Sequence, residues 1–188
     1  KGTTQIDLET AKNKGVVAFN APYSNTRSVV ELAIGEIIML MRSVFDRSRE
    51  IHEGQWQKTA AGSREVRGKN LGIVGYGNIG KQLSVLAEAM GMRVYYYDVD
   101  DKLALGNAVK CNSLEDLLSV SDVVTLHIDD NKANKNFIGE RELNQMKKGA
   151  MLINLSRGFV VDIDALAESL KSGQVGGAAI DVYPDEPR

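Results

Sequence analysis

The sequence predicts an α/β fold built on a doubly wound parallel sheet, and three observations carry that prediction. The first is the stretch Asn70 to Gly80, N-L-G-I-V-G-Y-G-N-I-G, where an apolar run of Leu71, Ile73 and Val74 meets Gly75, Gly77 and Gly80. The second is the alternation that follows, in which apolar runs of strand length are separated by segments with helical spacing. Such alternation calls for right-handed crossovers and parallel strands. The third is Asp98, which lies 18 residues past Gly80 at the end of the next strand-like run, Arg93 to Tyr97.

Together these make a G-x-G-x-x-G turn with a strand before it and a helix, Ile79 to Met90, after it. In a dinucleotide-binding fold of the Rossmann type each glycine has a task. Gly75 allows the tight strand-to-helix turn, Gly77 lets a pyrophosphate approach the backbone, and Gly80 lets the helix pack closely on its strand. Free N–H groups and the positive end of the helix dipole then face the phosphates, so Asn78 and Ile79 join the expected cofactor-binding set. Asp98 stands where an acid accepts hydrogen bonds from the adenosine ribose. Because Asp100 and Asp101 follow it, a 2′-phosphate would meet several negative charges, and NAD is expected rather than NADP. The plain alternatives are a structural glycine turn and, for Asp98, a turn cap.

From the N-terminus, Ile6 to Lys14 has a short helical pattern ended by Gly15, and Val16 to Phe19 reads as a strand closed by Asn20-Ala21-Pro22. Residues 1–23 read as the tail of a preceding domain, and 24–188 as the main domain with a helix at its start. Ser24 or Asn25 can cap that helix, which Val29, Leu32, Ala33, Glu36, Ile37, Leu40 and Met41 continue. Arg42 to Lys58 is charged, with Arg47, Arg49 and Glu50 on a solvated helix face. Trp56 reads as a packed core residue, with an interface anchor as the alternative. Residues 59–68 form a polar linker. After Asp98 come a short strand in Ala108 to Cys111 and a helix from Ser113 to Val120, with Glu115 and Asp116 favouring its dipole. Strands follow at Val123 to Leu126, Met151 to Leu155 and Ala178 to Ile180, and helices near Glu140 to Met146 and Asp162 to Lys171.

Composition excludes several classes. A net charge of −2 without a basic run argues against nucleic acid, and no apolar stretch approaches the roughly 20 residues of a membrane span. Cys111 is the sole cysteine, which excludes a disulfide framework or a cysteine-cluster metal site and suits a reducing cytoplasm. The chain starts at Lys1 and reads as excised from something longer.

Ligands of an open parallel sheet bind beyond the carboxyl ends of its strands, which makes Asp98, His127, Ser156-Arg157-Gly158 and Asp181 the informative polar residues. An arginine fork such as Arg157 can hold a carboxylate through two parallel hydrogen bonds, which suits a 2-oxo or 2-hydroxy acid; its plain alternative is a surface salt bridge. Asp181 could contact the nicotinamide end or merely terminate its strand. Glu186 could orient a general-acid histidine and raise its pKa, or could simply be solvated. His127 is placed to line the cofactor or to act in catalysis, whereas His52 reads as structural or solvated.

The chain resembles the D-isomer-specific 2-hydroxyacid dehydrogenases. The matching stretches are Asn20-Ala21-Pro22 with Ser24-Asn25-Thr26-Arg27-Ser28, the Gly75 to Gly80 turn, Asp122-Val123-Val124 with Leu126-His127, Asn154-Leu155-Ser156-Arg157-Gly158, and Ala179-Ile180-Asp181-Val182 with Asp185-Glu186-Pro187. Ser-Asn-Thr-Arg-Ser points more narrowly to the members that act on 3-phosphoglycerate. The resemblance implies an NAD-binding domain with a remnant of the substrate domain, in an enzyme of L-serine biosynthesis that forms homodimers or homotetramers. It makes Arg157 the residue that binds the substrate carboxylate and carbonyl, and Glu186 the partner of the catalytic histidine. Asp98 would hold the ribose, and Asp181 the nicotinamide carboxamide, with Leu155 and Ser156 beside the cofactor. Asn25 would face the substrate and Lys58 would help with its phosphate. The histidine itself is expected downstream of Arg188. One departure is Asp129, where the family usually has proline. Alternatives are another D-2-hydroxyacid dehydrogenase, or an NAD-sensing binding protein like the corepressor relatives.

Overall fold

A computed structural model describes residues 6–185. Six strands form one parallel sheet: β1 (Asn70–Val74), β2 (Arg93–Tyr97), β3 (Val109–Lys110), β4 (Val123–Leu126), β5 (Ala150–Asn154) and β6 (Val175–Ile180). Their order is β3-β2-β1-β4-β5-β6, so the chain runs outward from β1 in both directions and the direction reverses between β1 and β4. That reversal opens a crevice beyond the strand ends, where this architecture takes a dinucleotide across two mononucleotide halves.

Helices cover both faces, and β1 shows why its run is apolar throughout. Leu71 and Ile73 point to one face, where α2 (Thr26–Met41) and α4 (Asn78–Ala89) bury Val30, Ala33, Ile37, Met41, Leu83 and Ala87. Val74 points to the other, covered by α5 (Leu114–Val120), α6 (Glu140–Gln145) and α7 (Ile163–Lys171) through Leu117, Leu118, Leu143 and Leu166. Side chains alternate across a strand, and a parallel sheet buried on both faces has no solvated side to leave polar. At Gly72 a Cβ would run into Leu117 and Ser121, so α5 lies directly on the β1 backbone.

Local signals set the helix ends. Ser113 accepts from Asp116 N–H at 3.0 Å while the Asp116 carboxylate accepts from Ser113 N–H at 3.1 Å, a reciprocal cap on α5. Asp162 caps α7 by accepting from Ala165 N–H. Asn25 stands at the N-cap of α2 but makes no side-chain cap bond, and Ser24 Oγ donates to Ala21 O instead.

Two expectations are corrected. Val16 to Phe19 forms no strand: α1 (Leu8–Asn13) precedes it, and among the described residues the run has no neighbouring strand, leaving Phe19 86% exposed. Trp56 is not core; it is 75% exposed, in the segment after α3 (Val44–His52). Among the described residues no helix is long and apolar enough to cross a membrane.

Candidate functional site

The crevice is built around the β1–α4 turn. Gly75 has φ +92°, a conformation open to glycine, and a Cβ there would also meet the His127 carbonyl as the chain leaves β4. At Gly80 a Cβ would strike the Gly75 carbonyl and crowd Ile73, so close packing of helix on strand explains that glycine. Gly77 differs: its φ is −80° and nothing lies within 4 Å of where a Cβ would stand. It faces open space and supplies no side-chain cap, so the first N–H groups of α4, from Asn78 and Ile79, point outward without a side-chain acceptor.

A cavity of about 410 Å³ lies over this turn, lined among others by Gly75, Gly77, Asp98, His127, Asp129 and Asn131. Asp98 directly follows β2 and is fixed by the backbone on two sides. Its Oδ2 accepts from Tyr76 N–H at 2.7 Å and its Oδ1 from Asp100 N–H at 2.9 Å. It is thus a turn cap and a cavity wall at once. The neighbouring acids are less free than the sequence suggests, because Asp100 pairs with Lys102 and Asp101 with Lys110, each at 2.6 Å.

His127 follows β4. Its Nε2 lies 2.9 Å from Thr125 Oγ1, and its Nδ1 is buried without a partner among the described residues. Burial lowers its pKa to about 4, so the ring is neutral at working pH.

Beyond β5 the chain makes a turn held by a buried asparagine. Asn154 Oδ1 accepts from Ser156 N–H at 3.1 Å and from Ser156 Oγ at 2.8 Å, while its Nδ2 donates to Arg157 O at 2.9 Å. Arg157 is thereby held at the crevice; its Nη1 donates to Ser156 O at 2.8 Å and its Nη2 stands 3.8 Å from Asp130 Oδ2. Gly158 is required because a Cβ there would overlap the Tyr183–Pro184 backbone, which crosses the turn after β6. Asp181 directly follows β6, and its N–H donates to Asn154 O. Leu155 and Ser156 are buried within the turn.

The N-terminal end of α2 joins this edge. Thr26 and Arg27 share a groove with Asn78 and Lys81 of α4, which brings the adjacent Asn25 to the same end of the sheet. Lys58 is not brought there. The chain after α3 returns to the other end of α2, where Arg64 N–H donates to Met41 O and Arg64 Nη2 donates to Gly149 O just before β5. A 16-residue helix spans about 24 Å, so Asn25 and Lys58 lie near opposite ends of it. Glu186 lies outside the described residues. Asn154 as the builder of the turn and Asp130 as the neighbour of Arg157 escaped the sequence reading, since both act through contacts with other segments.

Comparison with known proteins matches this arrangement. The model of the D-isomer specific 2-hydroxyacid dehydrogenase NAD binding domain fits residues 34–188. The chain belongs to the D-isomer specific 2-hydroxyacid dehydrogenases. It is 58% identical over 186 residues to a D-3-phosphoglycerate dehydrogenase of Haemophilus influenzae, covering 99% of this chain and 45% of that protein. Identity to the enzyme of the same name from Escherichia coli K12 is 55%, with the same coverage. The chain thus spans less than half the length of these curated relatives. Among solved structures of the dehydrogenases, D-lactate dehydrogenase with NAD+ from Lactobacillus jensenii superposes with a TM-score of 0.89 at 28% identity, over 98% of this chain and 56% of that one. D-lactate dehydrogenase from Aquifex aeolicus, complexed with NAD and lactic acid, gives 0.85 at 32% identity, over 98% and 56%. As a member of this family, the chain is an NAD-binding domain.

Proposed function

We propose that this chain is the cofactor-binding domain of a D-3-phosphoglycerate dehydrogenase, which oxidises 3-phospho-D-glycerate to 3-phosphohydroxypyruvate. The observation that carries the reading is the 58% identity along 99% of the chain, where lactate-specific structures stand near 30%. NAD, when bound, accepts a hydride at its nicotinamide ring.

The residues present fit that cofactor. Gly77 leaves room for the pyrophosphate, and the N–H groups of Asn78 and Ile79 are free to meet its charge. Asp98 takes the adenosine ribose on the β1–β2 side. The nicotinamide half then lies over β4, β5 and β6, beside His127, Leu155, Ser156 and Asp181. Arg157 stands at that half and grips the substrate carboxylate, which orients C2 toward the ring. Asn25 faces the substrate from α2. Residues 1–23 are the tail of the substrate domain, in keeping with an α1 that buries no residue.

His127 does not move the hydroxyl proton. A neutral ring with a pKa near 4 could accept a proton at pH 7 only weakly, and Thr125 already holds its Nε2. The resemblance to the family implies instead a proton-transferring histidine beyond these residues, with Glu186 as its orienting acid, and on that reading the 188 residues alone bind NADH without turnover.

The test is reduction of hydroxypyruvate phosphate by NADH in the full-length enzyme, beside pyruvate and glyoxylate. The expected result is the highest kcat/KM for the phosphorylated acid. Preference for pyruvate would make this a different D-2-hydroxyacid dehydrogenase. Absent turnover with NAD-dependent protein binding would make it a sensor.

A further inference from the structure

One acid at the crevice has no place in the mechanism above. Asp130, in the segment between β4 and α6, points Oδ2 at the guanidinium of Arg157 from 3.8 Å. That is too long for a hydrogen bond. The same oxygen is shut off from water and accepts no hydrogen bond from any described residue. The Asp130 side chain as a whole is 30% exposed and that of Arg157 43%. A carboxylate oxygen withdrawn from water without a donor is unfavourable unless a cation compensates it. Arg157 is the cation at hand.

The fork of Arg157 is only partly used. Nη1 donates to Ser156 O, and among the described residues its other N–H groups make no hydrogen bond. One guanidinium therefore faces an internal acid it does not touch, and keeps free donors for an external one. We propose that Asp130 is the internal counter-ion of Arg157, a positioning residue that aims the guanidinium into the crevice and weakens its hold on a substrate carboxylate. The proposal rests on reading Arg157 as the carboxylate-binding residue.

The physical consequence is a balance of charges. With Asp130 ionised, an incoming acid meets a cation already half neutralised, and the acid leaves more readily after hydride transfer. With that charge removed by substitution, the acid meets an unopposed cation. Between partly exposed charges such a change is worth a few-fold in affinity and is screened by salt.

The experiment uses the full-length enzyme saturated with NADH and titrated with oxalate, a dicarboxylate that accepts no hydride. NADH fluorescence first establishes that each variant is folded and loaded. Asp130→Asn keeps the shape and removes the charge, and should bind oxalate about two- to five-fold more tightly at low salt. The gain should shrink near 1 M salt, and Asp130→Glu, which keeps the charge, should stay close to the wild type. If Asp130→Asn fails to load NADH, Asp130→Ser carries the same expectation. Unchanged or weaker oxalate binding in the neutral variants overturns the proposal, as does loss of NADH loading in both, which would make Asp130 structural. Substrate assignment is tested separately, because turnover of hydroxypyruvate phosphate plays no part in this readout. Absence of oxalate binding to the wild type and to every variant would remove the carboxylate role of Arg157 and this proposal with it.

Discussion

Replacing Glu36 with glutamine should stabilise the protein above neutral pH and matter far less in acid. Glu36 lies on the side of α2 that meets β6, one turn from Leu40, which stands 3.6 Å from where a Cβ on Gly177 would be. Its Oε2 is buried and has no hydrogen-bond partner among the described residues. Burial, and then the negative charge of Asp181, raise its pKa from 4.5 to about 7. The unfolded chain releases this proton near 4.5, whereas the folded chain keeps it until about 7. Between those values the native state binds more protons, so stability declines as pH rises, and the full penalty is present above 7. At about 1.4 kcal/mol per pH unit the ceiling is roughly 3 kcal/mol. Glu36 is half-buried, and solvent screening reduces this to about 1–2 kcal/mol. Glutamine carries no charge at any pH and avoids the penalty. For a chain of this size each kcal/mol moves Tm by about 2–4 °C, so Glu36→Gln should melt about 3–6 °C higher at pH 8. By pH 5 most of that gain should be gone. The assay is thermal unfolding of wild type and variant at both pH values, followed by circular dichroism. An equal gain at pH 5 and pH 8, or a loss at pH 8, would refute the reasoning.

Other outcomes are expected. Asp98→Asn, which keeps an acceptor for one of its two backbone donors, should narrow the preference for NADH over NADPH by about ten-fold, the equivalent of 1.4 kcal/mol; fluorescence titration with both cofactors measures it, and an unchanged ratio removes the role given to Asp98. Gly80→Ala drives a methyl into the Gly75 carbonyl and should cost about 1–3 kcal/mol on denaturant unfolding, with weakened NADH binding. Trp56, exposed in a single chain, should anchor association between copies, so Trp56→Ala should shift the sedimentation of the full-length enzyme toward smaller species.

The fold was legible because its decisive signals are local. β1, the glycine turn and the opening of α4 fall within 20 residues; Gly75 answers to a dihedral and Gly80 to a contact within that unit, while Gly77 faces open space. Strands buried on both faces read as unbroken apolar runs. The same logic misled at Val16 to Phe19, where an apolar run meets no partner, since strand pairing is a property of neighbours and not of a sequence. It understated β6, whose Val175-Gly176-Gly177 start carries little apolar signal; small residues are needed there because Gly176 lies against the Gly149 backbone and Gly177 under Met151 and Leu40. The place of Asp98 after β2, on the wall of the cavity, was readable from its spacing. Asn154, Asp130 and Glu36 were not, because each acts on a group from another element. Lys58 could be recognised as a cation, but only the path of the chain after α3 shows it at the far end of α2.

The structure also changes the reason for expecting NAD. The sequence suggested a field of acids repelling a 2′-phosphate, yet Asp100 and Asp101 are each paired with a lysine and present little net charge. On the role proposed for Asp98, selectivity then rests on that residue alone. An ionised carboxylate offers about four acceptor positions, and Tyr76 N–H and Asp100 N–H occupy one on each oxygen. These bonds fix the group before any ligand arrives and leave about two positions toward the cavity, enough for the two hydroxyls of a ribose. A 2′-phosphate replaces one of those donors with acceptor oxygens, so it brings a charge and takes away a hydrogen bond at the same atom. An acceptor held ready by its own turn can therefore discriminate without help from neighbouring acids, which is why a change confined to Asp98 is expected to act on selectivity where neutralising Asp100 or Asp101 is not.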